Sequence, residues 1–196
     1  MKNSKKIGLE IKGMKIEIPA EALRTTDYWG KAIEPYIYGN GPIAGKIVKE
    51  YVKNKYPKVI CSVKSSSFAN GNSLDVHISN PDGSGVDNEI YSDINSFANL
   101  FEYGKYNGMH DIYEEYAESG LVTDKGTKIE AGVKYVSVNN SPAWGSYGDV
   151  IRMLRDMMAG NYSFGKVSLE EAIKRVKGYK VSESNIKKAL PYLNIA

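Results

Sequence analysis

Two histidines and the carboxylates beside them are the first residues to weigh for chemistry. His77 stands two residues from Asp75, and His110 directly precedes Asp111. Imidazole and carboxylate together make the ligand sets of zinc and the partners of acid–base catalysis. The spacing matches no metal motif, however, and the two pairs lie on separate elements, so they read more simply as solvated or interface side chains. Ser65, Ser66 and Ser67 supply hydroxyls, but no Gly-x-Ser-x-Gly elbow surrounds them and no base is marked. Lone Cys61, flanked by Ile60 and Val63, reads as a small core residue rather than a nucleophile. GNG at 39–41 and GSG at 83–85 read as turns, since neither carries a Walker lysine or the GxGxxG form. The expectation is a protein that is not an enzyme, with no catalytic residue, no metal and no cofactor.

The remaining unusual residues suit binding. YNGMHDIYEEY, Tyr106 to Tyr116, crowds charge and rings onto one short element. Its Asp111, Glu114 and Glu115, with Glu118 just beyond, can imitate a row of phosphates, while Tyr113 and Tyr116 add contact area. Such a patch would grip the basic groove of a nucleic-acid-binding protein. At the other end of the chain, Lys174, Arg175, Lys177, Lys180, Lys187 and Lys188 sit on two helical segments and could meet DNA or RNA. A helix-turn-helix reading of these segments fits poorly, because the connection GYKVSES is long and acidic residues begin both helices. Charge follows the same division. Residues 1–57 carry a net +5, residues 58–150 a net −7 and residues 151–196 a net +5. Fifteen tyrosines in 196 residues add to the binding character, since tyrosine buries area at low entropic cost and keeps a polar handle. One cysteine cannot form an internal disulfide, and no apolar run or leader pattern appears, so a reducing cytoplasm is expected.

The elements that must position these residues follow from patterning. IGLEIKGMKIEI alternates on both sides of Gly13 and predicts a β-hairpin. PAEALR predicts a short helix, and Asp27 a cap for a second one ending before Pro35. Pro42 opens a helix with Ile43, Ile47, Val48, Tyr51 and Val52 on one face and Lys46, Lys49, Glu50 and Lys53 on the other; Pro57 stops it. KVICSVKSSSF and SLDVHIS predict antiparallel strands, with Leu74, Val76 and Ile78 inward. A helix is expected over Asn88–Tyr103, and a short helix or turn over HDIYEEYAESG, ended by Gly120. LVTDKGTKIEAGVKYVSVNN predicts a second hairpin and SPAWGSYGD a loop. Helices are then expected over 149–159, from the capping box of Ser168 and Glu171, and over Glu183–Leu190. The fold class expected is α+β, an antiparallel sheet with packed helices and a small helical C-terminal appendage. The division expected is an N-terminal segment 1–40, a core domain 41–148 and a basic helical extension 149–196.

Several of these pieces occur together in an informative order: a lysine-bearing helix ending KYP, SVKSSSF, Gly71, SLDVHIS, YNGMHDIYEEY and GVKYVSV. From about Ala44 to Val138 the chain resembles a large polyvalent-protein-associated domain of phages and conjugative elements. Asn107 departs from the pattern, which has aspartate before Gly-Met. No catalytic residue transfers with the resemblance. It implies a context, among the anti-restriction and DNA-processing modules of mobile elements, and a class similar to the anti-CRISPR proteins. The function expected is a mobile-element binding protein in the host bacterial cytoplasm that inhibits a host defence nuclease, with an RNA-guided CRISPR effector as the candidate partner. Contact is expected through Ser65, Ser66, Ser67, Tyr106, His110, Asp111, Tyr113, Glu114, Glu115 and Tyr116. The alternatives are a DNA- or RNA-binding accessory protein working through the C-terminal lysines, and a metal-dependent enzyme using the two histidines. No membrane partner is expected.

Overall fold

A computed structural model describes residues 5–107, 112–115 and 118–193. The chain forms two compact units. One comprises Met1–Tyr56, Val63–Val76 and Ser92–Val138; the other comprises Pro57–Ser62, His77–Tyr91 and Asn139–Ala196. The fold class is α+β, mostly antiparallel sheet with packed helices and short helices at the C-terminal end.

In the first unit the alternating N-terminus forms strands β1 (Lys6–Ile11) and β2 (Met14–Pro19), paired antiparallel. Lys12 and Gly13 both take positive φ, 50° and 76°, as a two-residue hairpin turn requires. The Asp124 carboxylate accepts from both of their amides, at 2.9 and 3.0 Å. PAEALR forms only one 3-10 turn, Ala20–Ala22, and then strand β3 (Leu23–Thr26). A helix so short cannot offset its nucleation cost, and pairing with β4 (Ala32–Asn40) wins. Asp27 caps a turn instead of a helix, its Oδ1 accepting from the amides of Trp29 and Lys31, both at 2.9 Å. That turn holds Tyr28 and Trp29 at 94% and 86% exposure. Pro35 is accommodated in β4 because β10 (Lys128–Gly132) pairs with β4 only from Tyr36 onward, so no ladder donor is lost there.

The four-stranded sheet runs β3-β4-β10-β9, with β9 spanning Glu118–Val122. Its β4–β10 pair is parallel, an exception to the antiparallel expectation. Strand β4 hands over directly to helix α1 (Gly41–Lys55) instead of turning back on itself. Gly39-Asn40-Gly41 is that junction, not a turn: Gly39 is strand, Asn40 caps the helix by accepting from the Ile43 amide, and Gly41 is its first residue. The α1 face read from the sequence is the buried one, with Ile47, Val48 and Val52 fully enclosed.

Gly120 does not stop a helix. Between Leu121↔Ile129 and Glu118↔Glu130 the ladder shifts, leaving Ser119 and Gly120 as a bulge, with Gly120 at φ 68°. The buried Ser119 hydroxyl donates to the Ile129 carbonyl across it. Residues 112–115 also depart from the helix-or-turn expectation. They form strand β8 (Ile112–Glu115), antiparallel to β7 (Gly104–Asn107). Local pairing with a neighbouring segment outweighs the helical preference of the two glutamates.

Strands β5 (Ile60–Phe68), β6 (Gly71–Ser79) and β11 (Tyr135–Asn139) form a sheet in the order β11-β6-β5. Leu74, Val76 and Ile78 are fully buried, as expected. Asn70 supplies the left-handed turn between β5 and β6, at φ 68°. Asn72 ties this hairpin to the segment after β10: its amide donates to the Gly132 carbonyl at 2.8 Å and accepts from the Lys134 amide at 2.7 Å. Asn72→Ala is expected to cost about 1–2 kcal/mol, the value of two part-buried hydrogen bonds less their resolvation, read as a lower urea midpoint at unchanged m-value. An unchanged midpoint would show that the clamp is dispensable.

Helix α2 (Asn88–Asn99) stops four residues before the expected Tyr103, because Phe101 turns fully into the core. In the second unit, α3 (Tyr147–Ala159), α4 (Leu169–Gly178) and α5 (Glu183–Ala189) enclose Ile151, Leu154, Met157, Val176 and Ile186. Ser146, Ser168 and Ser182 cap the three helices, each accepting from the amide three residues on. Helix α3 therefore begins inside the stretch SPAWGSYGD expected as loop. No described helix is long and apolar enough to cross a membrane.

Candidate functional site

The described residues of the acidic-aromatic signature lie on two paired strands, β7 and β8. Their register sets Tyr106 opposite Tyr113, Lys105 opposite Glu114 and Gly104 opposite Glu115. β7 and β8 form a two-stranded sheet of their own. Of the expected contact residues, His110, Asp111 and Tyr116 lie outside the described residues. Tyr106, Tyr113, Glu114 and Glu115 are placed on one supersecondary unit with strand, not helical, geometry.

The three serines lie on β5, with Ser65 and Ser67 exposed and Ser66 half-buried. Helix α1 approaches this strand through its glycines. A Cβ on Gly41 would lie 2.9 Å from the Ser65 Cβ, and one on Gly45 would lie 2.8 Å from Val63 Cγ1. The close approach leaves an open cleft of about 380 Å³, lined by Gly41, Pro42, Gly45, Lys46, Lys49, Glu50, Val63 and Ser65. The lysines on the exposed face of α1 are thus placed beside the serine strand. Ammonium and hydroxyl donors side by side suit an acceptor-rich surface better than they suit nucleophilic chemistry.

Beyond the opposite end of α1 stands a constellation that the sequence does not advertise. Asp93 accepts from the Tyr51 hydroxyl at 2.7 Å, the Tyr56 hydroxyl at 2.9 Å and Lys55 Nζ at 2.8 Å. Lys55 Nζ also donates to the Tyr51 hydroxyl at 3.0 Å and lies over both tyrosine rings. Burial pushes the Asp93 carboxyl up, but the hydrogen bonds from Lys55, Tyr51 and Tyr56 outweigh it, and its pKa lies below the usual carboxylate value. The Lys55 ammonium is held above its usual value, first by its bond to Asp93 and then by that to Tyr51. Burial is the main cause that raises both tyrosines. A tyrosine poised for proton abstraction would need the opposite shift. The cluster therefore locks the KYP end of α1 to α2. The Tyr51–Lys55 spacing of four was visible in the sequence; Asp93, some forty residues away, gave no signal.

His77 is half-buried on β6, and its Nδ1 has no hydrogen-bond partner among the described residues. No group of three or more His, Cys, Asp or Glu side chains able to hold a metal occurs among the described residues. The C-terminal cations differ from one another. Arg175 packs over the Phe164 ring at 4.1 Å, with Nε 2.9 Å from Glu171, and Lys177 pairs with Glu183 at 3.2 Å. Lys174, Lys180, Lys187 and Lys188 are exposed.

A family described as large polyvalent protein associated domain 29 matches residues 40–146. The match opens at the Asn40 cap of α1 and takes in the serine strand, the Asp93 cluster and the β7–β8 pair. No curated protein and no solved structure matches the chain.

Proposed function

Because this chain belongs to the large polyvalent protein associated domain 29 family, a family associated with phages and mobile elements, we propose that it is a non-catalytic binding protein that inhibits a host defence nuclease. The partner proposed is an RNA-guided CRISPR effector in the bacterial cytoplasm. The observation that carries this reading is the paired strands β7 and β8, on which Tyr106, Tyr113, Glu114 and Glu115 lie together in a two-stranded sheet. An acidic strand of this kind competes with nucleic acid for a cationic groove. The serine strand and the exposed lysines of α1 provide a second, polar contact surface within the same unit.

The test is inhibition of purified RNA-guided nucleases by the purified chain. Glu114→Lys combined with Glu115→Lys is expected to weaken binding and inhibition at least tenfold, since the charge that complements a cationic groove is then reversed. Lys187→Glu combined with Lys188→Glu is expected to leave both unchanged. A panel in which no nuclease is bound or inhibited overturns the reading. Loss of inhibition through the lysine pair alone would move the activity to direct nucleic-acid contact.

A further inference from the structure

We infer that the second unit carries a binding site for single-stranded nucleic acid, built on the exposed ring pair Trp144 and Tyr179 and drawing phosphate contacts from the exposed lysines of the same unit, Lys180, Lys187 and Lys188. Trp144 is 70% exposed and Tyr179 46%, and their rings meet edge to face at 6.2 Å and 85°. An exposed aromatic pair is a surface on which bases stack, and unlike the exposed Tyr28–Trp29 pair this one lies in the unit that carries the C-terminal lysines.

The backbone that follows Trp144 is held from two sides. The Gly145 amide donates to the buried Asp149 carboxylate at 2.9 Å, and the Gly145 carbonyl accepts from Asn185 Nδ2 at 2.7 Å. Asp149 is itself fixed by Arg152 at 2.6 Å. The loop bearing Trp144 is therefore pinned to the first turns of both α3 and α5. Tyr179 caps α4, and Lys180 follows it in the left-handed region at φ 59°.

Charge points to the occupant. From Val167 to Leu193 the chain carries six Lys or Arg against three Glu. Two of the three carboxylates are spent on Arg175 and Lys177, which leaves the exposed Lys174, Lys180, Lys187 and Lys188 to meet phosphate. Duplex recognition by α4 and α5 as a helix-turn-helix does not fit this geometry. The first turn of α5 begins with Glu183 and commits Asn185 to the Trp144 loop, where a recognition helix would present base-reading residues. Unpaired bases, with open faces for Trp144, fit both the rings and the lysines.

This site rests on the second unit alone, so it stands or falls independently of the β7–β8 pair. Only two tryptophans are present. Trp29→Phe at its exposed turn leaves Trp144 as the sole reporter, and the probe is a short oligothymidylate. Saturable quenching of Trp144 emission is expected, weakening steeply with salt. Trp144→Ala, followed by gel shift, and the Lys187→Glu, Lys188→Glu pair are each expected to lower affinity about tenfold. Both should leave the thermal midpoint unchanged, because the residues are exposed. A duplex of equal length should bind at least tenfold more weakly. Absence of quenching, equal affinity for the duplex, or full affinity in Trp144→Ala would overturn the inference, as would a protein partner that protects Trp144 while oligothymidylate does not.

Discussion

Asp93→Ala is expected to lower stability by about 2–3 kcal/mol, since it removes the acceptor shared by Tyr51, Tyr56 and Lys55. The cost is large because two hydroxyls packed on α1 lose their partner while the Tyr51 ring stays stacked on Phe97 at 3.8 Å. Asp93→Asn keeps one acceptor oxygen and should lose roughly half as much. The effect carries a pH signature. The folded-state carboxyl lies below its unfolded value, so its contribution is complete above about pH 4 and is lost as pH falls through the folded pKa. The raised Tyr51 and Tyr56 hydroxyls act in the opposite sense: their contribution is present below about pH 10 and is lost as pH rises through their folded values. Urea midpoints across pH 2–7 should converge between wild type and Asp93→Ala at the acid end. Parallel curves with a constant offset would show that the charge of Asp93 does not matter.

Gly39→Ala is expected to cost about 3 kcal/mol and to disturb the start of α1. A Cβ there would lie 2.5 Å from the Glu130 carbonyl oxygen and 3.1 Å from Phe101 Cδ1. The first is backbone in the parallel β4–β10 ladder and cannot swing away, so the strands must separate. Gly132 faces the same crowding from the other strand, where a Cβ would meet Asn40 N and the Tyr38 ring, both at 2.9 Å. The control is Gly8→Ala, in open space on β1, which should be neutral or slightly stabilising through the unfolded chain. Thermal midpoints of the two variants decide the matter: equal midpoints would dismiss the close-approach argument. Separation of β4 from β10 should also unseat Asn40 as cap, so far-UV circular dichroism of Gly39→Ala is expected to show lost helix.

Both predictions concern residues that the sequence presented only as members of a helix end, a helix face and a glycine pair. Tyr51 and Lys55 were legible as neighbours one turn apart, yet the carboxylate that joins them arrives from another helix. GNG looked like a turn because glycine and asparagine are turn formers, and the same two properties serve a strand-to-helix junction: Asn40 accepts from Ile43, and the glycines admit close backbone approach. The helix-or-turn expectation for HDIYEEYAESG failed for a related reason. Glutamates favour helix locally, but pairing of Ile112–Glu115 with Gly104–Asn107 and the bulge at Gly120 are decided between segments.

Residue order by itself determined the elements whose signals are local. The β1–β2 hairpin, the buried face of α1, the inward side of β6 and the Ser168 cap of α4 all follow from periodicity, proline placement and capping within a few residues. The family was equally legible, because its signature is a set of short motifs in order. Tertiary structure alone decided which residues act together: Asp93 with three donors, Asn72 with the strand connection, Trp144 with Tyr179. Each of these depends on packing that brings distant segments within hydrogen-bond or ring-contact range, and no local propensity encodes that distance.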